Sequence, residues 1–381
     1  MAISTELIDA RDNSHIWGQQ YSRKSADIIA VQGDIAKEMT VALRIKLSGE
    51  NEKRIAKINT ANPDAYQDYL KGLYWDNKSN QEGLNKGVKY FQQAIEKDPT
   101  YALAYAGLAD CYGTLANLAF GPPKENYARA KEATLKALEI DDTLGEAHAY
   151  LGNIRAVYDW DVSGAEREFH RALELNPNYA VTHFYYGVAL EHEGRLAEAI
   201  NEEKRAVELD PLSLPNNYAL GAAFYFARQF DQAIDQERKT LELDPTFELA
   251  HVALGRIYVQ KAMFKASIAE TEKALAISTD NLGILSDVAY VYAVAGRKVD
   301  AQKLVDHLNK VSRQRYVQPL LIARAYVGLG EKDKAFAYLE KSYEDRSIAL
   351  GFGTINVDPT FDRLRPDPRF QDLLRRTNLQ P

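Results

Sequence analysis

The sequence predicts an all-α protein, a right-handed α-α superhelix of stacked helix pairs with a short N-terminal β-hairpin. Three observations carry this prediction. The segments ALELNPNYA (172–180), AVELDPLSL (206–214) and TLELDPTFE (240–248) each begin 34 residues after the last, and weaker copies at 94, 137 and 274 extend the ladder. A small residue recurs at Gly187, Gly221, Gly255, Ala289 and Ala323, with a large one three positions later at Leu190, Phe224, Tyr258, Tyr292 and Tyr326. Small residues let two helix axes approach to roughly 8–9 Å, and a bulky neighbour fills the groove so opened. Finally, Pro177, Pro211 and Pro245 follow the turn formers Asn176, Asp210 and Asp244, which ends the second helix of each period.

At the front, residues 1–24 alternate with a period of two around the polar turn Arg11-Asp12-Asn13-Ser14, which predicts a β-hairpin. From Ser25 an apolar stripe of Ile28, Ile35, Met39, Ala42, Leu43 and Leu47 predicts an amphipathic helix, followed by a linker, across 25–63. Eight helix pairs fill 64–347. The second pair is longer by about nine residues, which fall in NLAFGPPKE (117–125), where Gly121-Pro122-Pro123 cannot be helix interior. The third has one extra residue near Trp160. Beyond 347 the period stops, and 348–381 reads as a loop and a capping helix from Asp367 to about Thr377, with Phe361, Leu364, Phe370, Leu373 and Leu374 as its contacts.

These columns, closed by Asp-Pro at 34-residue spacing, resemble the tetratricopeptide repeat. The string LIDARDNSHIWGQQYSRKSADIIAVQGDIA further resembles the last strands and helix of the TolB-like domain that precedes such arrays in bacterial signalling proteins. VDPTFDRLRPDPRFQDLLRR is similar to the end of the same proteins. The resemblance implies a remnant of a TolB-like domain at 1–24. It also implies a sensory or regulatory part whose cyclase, kinase or winged-helix effector lies outside these 381 residues.

The net charge of −7 argues against a nucleic-acid partner, because phosphate contacts need a basic surface. The single Cys111 excludes an intramolecular disulfide. No secretory signal and no run of 18 apolar residues is visible, so membrane insertion is not expected and a cytoplasmic chain is, with a periplasmic portion of a larger membrane protein as the alternative. Gly351-Phe352-Gly353 lacks the remainder of a phosphate loop, and no nucleophile elbow or metal helix occurs. His148, His183 and His251 fall at the same place in their repeats, and since equivalent positions in neighbouring repeats lie about 10 Å apart, too far to share a metal, they are expected to be packing or groove residues. Glu202 and Glu203, beside Lys204 and Arg205, read as a solvated charged face. No catalytic residue, metal ligand or cofactor is expected.

Function is then expected from a surface. In tetratricopeptide arrays the first helix of each pair lines the concave face. Mapped here, that face presents Tyr150, Asn153, Phe184, Tyr185, Tyr218, Tyr225, Arg256, Tyr290 and Arg324 as a partner-binding groove, and aromatic and arginine side chains suit recognition of a protein or peptide ligand. The family's clamp for a C-terminal carboxylate is not expected, since Ala149 and Tyr185 stand where its Lys and an Asn would be. The edge of the hairpin offers a route to a homodimer.

Overall fold

The computed structural model describes residues 2–9, 14–22, 31, 34, 35, 38, 39, 60–347 and 355–379. The chain divides into two compact units, residues 1–108 with 139–141 and residues 109–138 with 142–381.

In the first unit, strands β1 (Ala2–Asp9) and β2 (Ser14–Ser22) pair antiparallel from Ala2 opposite Ser22 to Asp9 opposite Ser14, with a bulge between Leu7 and Ile8. Most of the helix expected from Ser25, including Ile28, Ala42, Leu43 and Leu47, lies outside the described residues. The Tyr21 hydroxyl donates to Glu38 over 2.9 Å. Helix α1 (Pro63–Asp76) opens on Asn62, whose side chain accepts from the Asp64 and Ala65 amides, with Pro63 at the position where a missing N–H costs nothing. Across it packs α2 (Gln81–Lys97), whose Phe91 lies over both Gly72 and Gly107 and would collide with a Cβ at either.

Helices α3 (Ala102–Asn117) and α4 (Pro123–Ile140) follow, and the residues between them form the turn required by Gly121-Pro122. The larger unit continues with α5 (Gly145–Ile154) and α6 (Val162–Leu175), α7 (Ala180–His192) and α8 (Leu196–Leu209), then α9 (Leu214–Phe226) and α10 (Phe230–Leu243). Next come α11 (Glu248–Gln260) and α12 (Phe264–Ile277), α13 (Leu282–Val294) and α14 (Lys298–Val311), and α15 (Pro319–Leu329) and α16 (Lys332–Glu344). The fold is the expected all-α array of helix pairs. Helices α6, α8 and α10 end one residue before Asn176, Asp210 and Asp244, each of which leaves the helical conformation ahead of its proline. The extra residue near Trp160 is absorbed as a wider π turn over Arg155–Asp159, and Trp160 closes it in the left-handed region at φ 59°.

The last helix, α17 (Pro368–Arg376), is capped by Asp367. Its Phe370, Leu373 and Leu374 share one core with Phe361, Leu364, Val305, Leu308, Phe336 and Leu339. The expected loop at 348–354, with Gly351 and Gly353, lies outside the described residues.

One expectation is overturned. Glu203 is fully buried rather than solvated, and so is Glu237 one repeat on. Each sits beneath the glycine of its own repeat, Gly187 and Gly221, in the space that Phe169 and Thr271 occupy under Gly152 and Gly255. The second helix therefore fills the gap opened by the small residue of the first. Neither carboxyl of Glu203 or Glu237 has a hydrogen-bond partner among the described residues, and burial pushes both well above the usual carboxylate range, with Glu191 and Glu202 adding to the effect at Glu203.

Candidate functional site on the first-helix face

The residues expected to line the groove fall into two groups, both within the larger unit. In the first, Tyr150 meets Tyr185 edge-on at 5.9 Å, and its hydroxyl lies 3.3 Å from that of Tyr179. Tyr185 donates to Asp110 over 2.8 Å, and Phe184, half-buried, leans on the Tyr185 ring. Asn153 is buried and bonded to Tyr127, whose hydroxyl also donates to Asn117. These side chains hold one another, and burial next to Asp110 raises Tyr150 and Tyr185 well above the ordinary tyrosine range.

The second group, Tyr218, Tyr225, Arg256, Tyr290 and Arg324, comes from α9, α11, α13 and α15 and is fully buried. Its cover is the chain's own C-terminal segment. Asp358 has no exposed surface and accepts from Arg256 Nη2 at 2.5 Å and from the Tyr225 hydroxyl at 3.3 Å. Tyr290 and Tyr225 both reach Thr360. Upstream, Asn356 donates to the His192 carbonyl over 3.0 Å, and Val357 joins the buried apolar cluster that includes Tyr225 and Ile257. Asp358 also receives the Thr360 amide at 2.8 Å and opens the 3₁₀ turn Pro359–Phe361. Arg365 reaches back to the carbonyls of Asn356 and Asp358 and fixes the turn from outside.

Behind Asp358 runs a buried charge ladder. The Arg256 Nε lies 3.9 Å from Asp287, and Arg324 Nη1 is 3.3 Å from both Asp287 oxygens. The Arg256 guanidinium also stands 5.0 Å from the centre of the Tyr225 ring. Burial opposes ionisation of Asp358, but Arg256 and Arg324 outweigh it and hold the carboxyl below its usual range. Two arginines thus face two aspartates, and the space left beside Arg256, Tyr218 and Tyr225 is about 10 Å³, room for no more than one water. At the rim, Arg228 pairs with the half-exposed Asp362 at 2.8 Å.

From their register, the sequence put Tyr225, Arg256, Tyr290 and Arg324 on one face, which the structure brings together with Asp287, not named from sequence, and with Asp358 and Thr360, which the sequence placed in a terminal loop. It also left open how the three histidines pack. His148, His183 and His251 each turn Nδ1 to a glutamate of the following helix, Glu168, Glu202 and Glu270, at 2.6–2.7 Å. Each turns Nε2 to a carbonyl of the preceding turn, Asp142, Pro177 and Pro245, at 3.0–3.2 Å. They are staples between the two helices of a pair and the turn before it. Burial disfavours protonation of His148, but the bonds to Glu168 and the Asp142 carbonyl prevail and raise its pKa.

Family models for the tetratricopeptide repeat match residues 143–213 and 320–344. The helix pairs over those residues, α5 to α8 and α15 with α16, match the tetratricopeptide repeat. The transcriptional regulator HilA of Salmonella typhimurium is 29% identical over 148 residues, 39% of this chain and 26% of that protein. The Rhizobium meliloti protein named "Putative adenylate cyclase 3" is 27% identical over 147 residues, 38% of this chain and 25% of that protein. The match spans about a quarter of the length of each relative. Among solved structures, the human IFIT1 dimer with m7Gppp-AAAA shares the fold at a TM-score of 0.55 and 15% identity, covering 83% of this chain and 76% of that one. Among the described residues, no helix is long and apolar enough to cross a membrane, and no three His, Cys, Asp or Glu side chains converge on a common point as metal ligands would.

Proposed function

We propose that this chain is a non-enzymatic protein-binding scaffold whose first-helix face grips a peptide segment. One observation carries the reading: the tyrosines and arginines of α9, α11 and α13 already hold a non-helical stretch of polypeptide, with Asp358 anchored on Arg256 and Tyr225. Aromatic and arginine side chains supply much contact area at low entropic cost, and tetratricopeptide arrays present them on a stacked, pre-formed surface. Selection from a displayed peptide library against the full chain tests it. Selected peptides are expected to lose binding to a Tyr218→Ala, Arg256→Lys variant that keeps its helical circular dichroism; undiminished binding there overturns the groove as the site.

The relatives favour a second reading, in which these repeats are the sensory or regulatory part of a bacterial signalling protein. The matches to a transcriptional regulator and to a cyclase-named protein support it, as does the hairpin's resemblance to a TolB-like tail. An effector module in frame with this coding sequence is the expected finding under this reading, and an isolated gene overturns it. A third reading is a homodimer through the hairpin edge, and light scattering of a version lacking residues 1–24 reports whether a dimer is lost.

A further inference from the structure

We infer that residues 355–362 are a cis-held occupant of an aspartate-reading socket, and that the partner of this face is a peptide presenting an aspartate directly before proline, with an apolar residue on either side. The inference rests on the scaffold reading above and names its ligand.

Three features of the socket point to that ligand. The first is charge. Arg256, Arg324, Asp287 and Asp358 have side chains at most 8% exposed and balance two against two. Without Asp358, a buried face of α11, α13 and α15 carries one positive charge in excess, and a carboxylate is what restores the balance. The second is shape. Val357 belongs to the apolar cluster that includes Tyr225 and Ile257, and Phe361 belongs to the core that includes Leu364 and Phe370, so the aspartate is read between two apolar anchors. Pro359 and the Thr360 amide bond hold the turn that aims the carboxylate, and a free peptide carrying Asp-Pro is already biased toward it. The third is access. The contact at the edge, Arg228 with Asp362, is 40% and 45% exposed and offers the point at which the segment can begin to lift. Being tethered, the segment competes at a high effective concentration, so a free peptide of equal intrinsic affinity is outcompeted until the cis contacts weaken.

The probe is the peptide Ile-Asn-Val-Asp-Pro-Thr-Phe-Asp, blocked at both ends and labelled, titrated by fluorescence anisotropy into the full-length chain. Two variants loosen the cis segment: Asp358→Asn, which keeps the shape of the anchor, and Asp362→Arg, which removes the pairing with Arg228 and with Arg365, the residue that holds the turn, and leaves the buried Arg256–Asp287–Arg324 contacts intact. At least ten-fold tighter binding than to the unaltered chain is expected for each variant that keeps the native circular dichroism. The gain is expected to vanish with a probe carrying Asn at its fourth position and when Arg256→Lys is added. Equal binding by the unaltered chain and by folded Asp362→Arg overturns the inference, whatever the folding of Asp358→Asn. So does a shift of either variant to a dimer that excess probe does not disperse, which assigns the socket to a second copy. Library peptides that use the groove while the probe fails leave the scaffold reading standing and remove only this one.

Discussion

At the scale of single residues, the same link between helix pair and preceding turn is built from two chemistries. Where the third, fourth and sixth pairs use a histidine and a glutamate, the fifth has Asn217 and Gln236: Asn217 donates to the Pro211 carbonyl over 3.0 Å, and Gln236 donates to Asn217 Oδ1 over 2.9 Å. The geometry is conserved and the charge is not, which makes the staple transferable. His251→Asn alone leaves Glu270 with Lys273 but without its partner across the pair. It is expected to cost about 1.5–3 kcal/mol, the worth of a hydrogen bond to a charged group. Adding Glu270→Gln is expected to recover most of that loss in urea denaturation. A double variant as unstable as the sum of the two single ones shows that the two staples are not equivalent.

At the scale of the helix pair, the buried glutamates expose both the strength and the blind spot of sequence reading. The glycine column was legible because its spacing repeats and its physical need is simple. Glu203 was misread from its charged neighbours Lys204 and Arg205, although it lies four residues after Ala199 and three before Ala206, on the stripe that faces the first helix. Register, not local composition, decides burial. A carboxyl with its folded pKa raised by burial gives stability that is complete below the unfolded value, near 4.5, and is lost as the pH rises through the folded value. Glu237 should therefore weaken the array as the pH rises from 5 toward neutrality. Replacing it by methionine, of similar volume and with no charge to desolvate, is expected to stabilise the protein by about 1–3 kcal/mol at pH 8. The gain should shrink on acidification to pH 5. Thermal unfolding across that range checks it, and a gain independent of pH would show that Glu237 is not the group responsible.

At the scale of the whole array, the long-range contacts of the larger unit were the part hidden from sequence. Periodicity reports what each repeat does to its neighbour, and it placed Arg256 and Tyr225 on the first-helix face. It carries no information about a partner 102 or 133 residues away, which is where Asp358 stands relative to them. A second such contact joins the third pair to the eighth: Arg346 lies 3.9 Å from the Trp160 ring and donates to the Tyr158 carbonyl at 3.2 Å, while Trp160 stacks on Tyr343 at 5.5 Å. The left-handed backbone at Trp160 costs about 1–3 kcal/mol for a side-chain-bearing residue, so the clasp must offset that strain as well as its own ordering. A plain stack of repeats unfolds by parts, because each contacts only its neighbours. Here the clasp and the seated segment couple distant pairs, and the larger unit is expected to unfold in one sharp transition. Trp160→Gly removes the rings and the strain together, so what it reports is coupling rather than local backbone energy. Its expected signature is a broadened or split urea transition with a lower m-value, followed by circular dichroism, and an unchanged sharp transition would show that the nearest-neighbour interfaces alone make the unit cooperative.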